Sequence, residues 1–478
     1  MSTQFVVWYS RSLRSIDKVL LSSFGCRWST SRRMASSTTT TPKRLIVLCD
    51  GTWQNSVSGE AYSYPTNVTR FSRALSQFGD RDGQKVPQII YYQPGVGTGA
   101  LADKLAGGIY GAGLSACVRA AYGFLAHNYN PGDQIYFFGY SRGAYTARAI
   151  AGLVTSLGLL TKKGMDRFGA VYQEYYQHQS QSQGSHPQQP NIARLEELSG
   201  GELHPGAKDS VEIVGVWDTV GFHDPKPILG NNDTGEQFEF YNTALSSRVN
   251  YGFHALSLDE TREAFLPTLW DSEIGVTTNT NGSNSVKQVW FSGTHAIGGG
   301  DKDSILADIA LGWMVSECNS TKTLSFVDVD ESDRMSYLLA ESTTSASAAA
   351  GGADTPWATA TYPPAIDTAA GGGASGLLSS LKKKATDAFW TVTNWVLPPK
   401  SGVRTPNAAG LDPARTNERL HQSIRDRRFD RWPCRPVKGR VPGQTSRWQL
   451  AHKPGAVLDE SVPGDVESML KGRIRPVG

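Results

Sequence analysis

Cysteine is scarce in this 478-residue chain, and its charges nearly cancel. The five cysteines (Cys26, Cys49, Cys117, Cys318 and Cys434) are scattered, odd in number and form no Cys-x-x-Cys pair. That argues against a disulfide framework and a structural zinc site, and makes a reducing compartment the default. A net charge of +3 gives no electrostatic footprint for nucleic acid. No run of about 18 apolar residues occurs, so no spanning helix is expected. The apolar stretch 385–397 (ATDAFWTVTNWVL) is too short to span, and reads as a helix packed on the main domain. Acidic residues are almost missing from the first forty positions. There Arg11, Arg14, Lys18, Arg27, Arg32 and Arg33 face Asp17 alone, among many Ser and Thr. Segment 1–42 therefore reads as a disordered tail or a mitochondrial transit peptide and is set aside from the fold. The expected location is intracellular, cytoplasmic or mitochondrial.

What remains can build a core: 39% of the residues are hydrophobic. Five apolar runs read as buried strands: 44–49 (RLIVLC), 88–92 (QIIYY), 134–138 (QIYFF), 211–217 (VEIVGVW) and 287–291 (KQVWF). Helical stretches lie between them at 114–129, 144–160 and 305–318. Apolar strands alternating with helices predict an α/β fold, a mostly parallel sheet with helices on both faces. Two segments break the pattern and read as flexible insertions. Residues 177–190 are Gln/Ser-rich, and 342–375 are rich in Ala, Gly, Ser and Thr, too little apolar surface to fold alone. The expected organisation is a catalytic domain over 43–340, a low-complexity insertion over 341–380 and a C-terminal extension over 381–478 packing on the domain.

Directly after the third run stands Gly139-Tyr140-Ser141-Arg142-Gly143, a G-x-S-x-G pattern between a strand and a helix. On such a turn the serine hydroxyl is presented on a strained backbone, and glycines stand where side chains would clash. A serine is a poor nucleophile until a base takes its proton. Two later runs end in the residue types required: Asp218 follows VEIVGVW, and His295 follows KQVWFSGT. Functional groups of open α/β sheets gather at the carboxyl ends of strands, and the chain order Ser, Asp, His is the α/β-hydrolase order. Asp224 and Asp301 are rival acids, and His223 and His254 are rival bases. His254, in FHAL, reads as a satisfied core histidine. His295 adjoins Gly298-Gly299-Gly300, read as a flexible loop suited to presenting a side chain. For an oxyanion, the N–H of Arg142 is one expected donor. Gly51 or Thr52 would give the second, with Asp50 orienting that loop. The run Gly95–Gly99 lacks the Gly-Lys-Ser/Thr ending of a phosphate loop. No cofactor and no metal are expected. A metal-dependent phosphohydrolase using Asp50, Asp301 and Asp303 is the most distant alternative.

The segments LIVLCDGTWQ, YYQPGVGTG, AYGFLAHNYNPGDQIYFFGYSRGAYTAR, VWDTVG, HALSLDETREAFLPTLW, VWFSGTHAIGGG and LADIALGWM follow one another in order. Together they resemble the α/β-hydrolase family of type VI secretion phospholipase effectors, over about Lys43–Val315. The stretch Leu420–Arg425 is similar to a late motif of that family. The resemblance puts the family nucleophile on Ser141, its acid on Asp218 and its histidine on His295, and implies fatty-acyl esters of phospholipids as substrates. One departure stands out. The family has His-x-Asp-Val/Ile before its glycines, whereas His295-Ala296-Ile297-Gly298 is one residue shorter and lacks the Asp. The expected activity is hydrolysis of carboxylic (fatty-acyl) esters, phospholipase- or lipase-like, through an acyl-enzyme. The expected partner is a lipid or small ester, with a membrane surface as a further candidate, and no nucleic acid. The alternatives are a short-chain carboxylesterase and a catalytically inactive α/β-hydrolase that binds a lipid or a protein.

Overall fold

Among the described residues, eight strands form one sheet. In this computed structural model the described residues are 41–51, 65–95, 110–180, 191–221, 245–262, 265–270, 285–300 and 305–327, with 404, 406, 416–421, 424, 437–440, 447–450, 457–459 and 461 beyond them. Segments 1–40, 341–380 and 385–397 lie outside that set.

The strands are β1 (Arg44–Cys49), β2 (Phe78–Arg81), β3 (Gln84–Gln93), β4 (Gln134–Tyr140), β5 (Val211–Trp217), β6 (Tyr251–Ser257), β7 (Ser285–Phe291) and β8 (Glu418–Leu420). They lie in the order β2-β3-β1-β4-β5-β6-β7-β8, and every neighbouring pair is parallel except β2 with β3. Among the described residues the α-helices are α1 (Asn67–Ala74), α2 (Tyr110–Asn128), α3 (Arg142–Leu157), α4 (Phe168–Ser180), α5 (Ile192–Ser199) and α6 (Ile305–Ser320). All five expected strands form, and β3, β4 and β7 run longer than the apolar runs alone indicate. The strands β2, β6 and β8 were not expected. β6 (YGFHALS) hides because Gly252 and His254 interrupt its apolar run; β2 (FGDR) is a mostly exposed edge.

The alternation along each strand sorts side chains to opposite faces. Leu45, Val47, Ile135 and Phe137 point into one core with α2, α3 and α4. Ile46, Leu48, Tyr136 and Phe138 point into a second core with α1 and α6. The sheet is thus covered on both faces, which is why its central strands are almost wholly apolar. β1 lies between β3 and β4. The chain leaves β1 toward one edge and leaves β4 toward the other. A crevice therefore opens at the carboxyl ends of β1 and β4, where α/β sheets bind their ligands. β8 pairs with β7, so the C-terminal region contributes a strand to the same sheet. Strands β9 (Val437–Arg440), β10 (Arg447–Leu450) and β11 (Val457–Asp459) form a separate antiparallel sheet. Among the described residues no helix is long and apolar enough to cross a membrane.

Candidate active site

Ser141 sits where β4 turns into α3, with φ 57° and ψ −125°. A non-glycine residue at positive φ is strained. The crowding around the turn explains its two glycines. A Cβ on Gly139 would lie 2.5 Å from Gly143 O and 2.7 Å from Ala144 N. A Cβ on Gly143 would collide with the carbonyl oxygens of Cys49 and Asp50. Helix α3 can approach β1 and β4 this closely only with glycine at both positions.

Asp218 follows β5 directly and is also at positive φ, 44°. His295 follows β7 after a short loop. The three residues meet. His295 Nδ1 lies 2.6 Å from Asp218 Oδ2, and His295 Nε2 lies 2.7 Å from Ser141 Oγ. A carboxylate only accepts hydrogen bonds, so the imidazole proton sits on Nδ1, and Nε2 accepts from the serine hydroxyl. Ser141 and His295 are 6% and 7% exposed and Asp218 is fully buried, so the chain of bonds is largely shielded from water.

The shortened loop does not carry the imidazole out of reach. It is also not the free loop expected from its glycines. His295–Gly298 forms a 3₁₀ turn whose His295, Ile297 and Gly298 are buried. Gly298 packs so tightly on the Tyr140 ring that no Cβ would fit. Tyr140 Oη donates to His295 O (3.0 Å), and Asn67 Nδ2 donates to the carbonyls of Ile297 and Ala307, each at 2.9 Å. Arg70 holds Asn67 Oδ1 (3.1 Å) and pairs with buried Asp308 (2.5 Å).

Three residues that the sequence did not single out support the constellation. Ser257 donates to Asp218 through its N–H and its hydroxyl, each at 2.9 Å. Glu260 Oε2 accepts the backbone N–H of His295 at 3.1 Å. Arg404 reaches both Asp218 oxygens, Nη1 to Oδ1 at 2.5 Å and Nη2 to Oδ2 at 3.0 Å. Glu260 lies inside the motif HALSLDETREAFLPTLW, which is a signal, although its length hides which acid matters. Arg404 is 186 positions from Asp218, in a segment with no strong pattern, so no local signal could find it.

The electrostatics follow from these contacts. Burial pushes the Asp218 pKa up, but the charge of Arg404, then the hydrogen bond and charge of His295, outweigh it. The carboxyl is held well below the usual range. For His295, burial pushes the pKa down and Asp218 pulls it back, leaving it below the ordinary 6.5. Burial also opposes ionisation of Glu260, yet its bonds to Arg262 prevail and bring it to about 2.

Asp50 and Gly51 lie at the end of β1, within the same crevice. The Asp50 carboxylate accepts from Tyr92 Oη (2.5 Å), Thr66 Oγ1 (2.8 Å) and Thr69 Oγ1 (3.1 Å). It also accepts the N–H of Gly51 at 2.7 Å, which occupies that donor. Thr52 lies outside the described residues, as do His223, Asp224, Asp301 and Asp303. His254 is fully buried. It accepts the N–H of Thr219 at Nε2 (3.2 Å) and faces Gln288 Oε1 at Nδ1 (3.2 Å), a structural role. Among the described residues no cluster of three or more His, Cys, Asp or Glu side chains could hold a metal ion.

A strand–turn–helix serine at the switch point of a mostly parallel sheet defines an α/β-hydrolase-like domain. The chain belongs to the family of the type VI secretion system phospholipase effector Tle1-like catalytic domain, whose sequence model matches residues 43–317. An uncharacterized protein of Saccharomyces cerevisiae is 28% identical over 246 residues, 48% of this chain and 33% of its own. The chain thus spans about a third of the length of that curated relative. Two solved structures are similar. One is the Tle1 effector bound to the VgrG spike of the type VI secretion system, at 18% identity and a TM-score of 0.30, covering 54% of this chain and 51% of that one. The other is an uncharacterized protein from Pseudomonas aeruginosa, at 17% identity and a TM-score of 0.30, covering 61% and 48%.

Proposed function

We propose that the chain is a serine hydrolase that cleaves carboxylic esters, with fatty-acyl esters of phospholipids as the substrate class. The observation that carries this reading is the continuous hydrogen-bonded line from Asp218 through His295 to Ser141, at 2.6 and 2.7 Å. Family membership supports the lipid ester class.

In this mechanism Ser141 Oγ attacks the ester carbonyl while His295 Nε2 takes its proton. Asp218 holds the tautomer and stabilises the imidazolium that forms. The oxyanion is held by the N–H of Arg142, at the start of α3, where the helix end adds partial positive charge. The second donor comes from the segment after β1. Since Asp50 already holds the Gly51 N–H, Thr52 is the candidate. The imidazolium then protonates the leaving alkoxide, and an acyl ester remains on Ser141. Water, deprotonated by His295, attacks that ester and releases the carboxylic acid.

The test is labelling of the full chain by a fluorophosphonate, followed by hydrolysis of acyl esters of graded chain length. Wild type should label, and Ser141→Ala and His295→Ala should abolish labelling. A folded wild type that does not label sinks the reading. A preference for short acyl chains would replace the phospholipid class with a short-chain carboxylesterase.

A further inference from the structure

We propose that Arg404 is a positioning residue of this site: from beyond the family-matched domain, it fixes the Asp218 carboxylate against His295. The inference rests on the hydrolase reading above.

The contact is forked. The guanidinium meets both Asp218 oxygens and also donates to Ser257 O (2.8 Å), Ser257 Oγ (2.6 Å) and the carbonyl of Phe265. One side chain thus ties together the residue after β5, the end of β6 and the segment whose Phe265 ring packs on His295, centroids 4.7 Å apart. Arg404 and Asp218 are both fully buried, so their attraction is little screened. Arg404 Nε finds no partner among the described residues, so the buried arginine is not fully satisfied by its surroundings. The match of residues 43–317 stops well short of it. The site as assembled therefore depends on a residue outside the matched domain.

Without Arg404, the Asp218 carboxylate would keep only Ser257 and His295 as partners among the contacts described. It could then turn about its Cα–Cβ and Cβ–Cγ bonds, and the imidazole with it. The charge of Arg404 also opposes protonation of His295, whose other charged neighbours are Asp218 and Glu260. Tyr140 flanks the imidazole, and Arg262 lies over the ring of Phe265. If Arg404 only held the fold, its loss would lower the urea midpoint and leave the plateau labelling rate of the folded protein unchanged.

The experiment measures fluorophosphonate labelling rates of the full chain against pH, for wild type, Arg404→Gln and Arg404→Lys, with urea unfolding as the check on folding. Arg404→Gln should label on the order of 10²-fold more slowly on its plateau, the loss expected for a misplacement of about 1 Å. Its acidic limb should move to higher pH. Arg404→Lys keeps the charge but not the fork. It should keep the limb of wild type and label more slowly on the plateau. Folded Arg404→Gln with the plateau of wild type, or with a slower plateau and an unmoved limb, overturns the inference. If Arg404→Gln does not fold, Arg404→Lys decides: a plateau equal to wild type overturns it. Wild type that fails to label overturns the hydrolase reading first. Labelled wild type with indifferent variants overturns this inference alone.

Discussion

Gly139→Ala is the sharpest probe of the serine turn. The added Cβ would stand 2.5 Å from Gly143 O and 2.7 Å from both Ala144 N and Cα, where real Cβ atoms essentially never come within 3.0 Å. All three neighbours are backbone of the first turn of α3, so no side chain can swing aside. Strand and helix must part by at least about 0.5 Å, and Ser141 is on the link between them. Overpacking of this kind costs about 1–3 kcal/mol. Applied to the 2.7 Å bond between His295 and Ser141, the same displacement stretches it to the edge of hydrogen-bond range. Since about 1 Å of misplacement costs roughly 10²-fold, half of that should slow labelling on the order of tenfold. The assay is the fluorophosphonate labelling rate together with the urea midpoint. Gly169→Ala is the control, because its Cβ meets nothing within 4 Å in α4 and should hold or raise stability. Gly139→Ala with the labelling rate and midpoint of wild type would refute the claim that this turn tolerates only glycine.

Three further outcomes follow from the electrostatics and the packing of the histidine turn. The neutral imidazole of His295 is the base and its pKa is lowered, so the acidic limb of the kcat/KM profile should lie below pH 6.5; a limb at or above 6.5 contradicts the assignment. His254 is lowered to about 3 by burial and then by the charge of Arg148. Between that value and the unfolded 6.5 the folded state binds fewer protons, so stability should fall as pH drops below 6.5 and level off near 3. His254→Gln should flatten urea midpoints measured between pH 7.5 and 5; an unchanged slope would assign the pH dependence to other groups. Asn67→Ala removes both donors to the Ile297 and Ala307 carbonyls, at a cost of about 1–3 kcal/mol. It should also slow labelling, because those bonds brace the turn that carries His295. Loss of stability with an unchanged labelling rate would separate the brace from the base.

Much of the layout is written locally. Apolar runs of strand length, cut by Asp-Gly-Thr, Gly-Tyr-Ser and Trp-Asp-Thr, mark β1, β4 and β5 and the residues that end them. Burial on both faces demands continuous apolar strands, and functional groups are excluded to the strand ends; both facts follow from composition. Ser141, Asp218 and His295 could be named for that reason. Strand β6 could not, because its glycine and histidine make sense only against Trp270, Gln288 and the Thr219 N–H. Nor could the packing of the histidine turn, where three glycines suggest freedom but Tyr140 and Asn67 remove it.

The strand–helix alternation and the chemistry available at three strand ends are legible in the chain alone, because both depend on residues close together along it. The fold alone sets the distances among Ser141, Asp218 and His295, the bond from Tyr92 to Asp50, and the arrival of Arg404 at Asp218. Those depend on which strands become neighbours and on charges brought together across 186 positions in the buried interior. No local pattern encodes such a meeting, because its energy exists only once the sheet has formed.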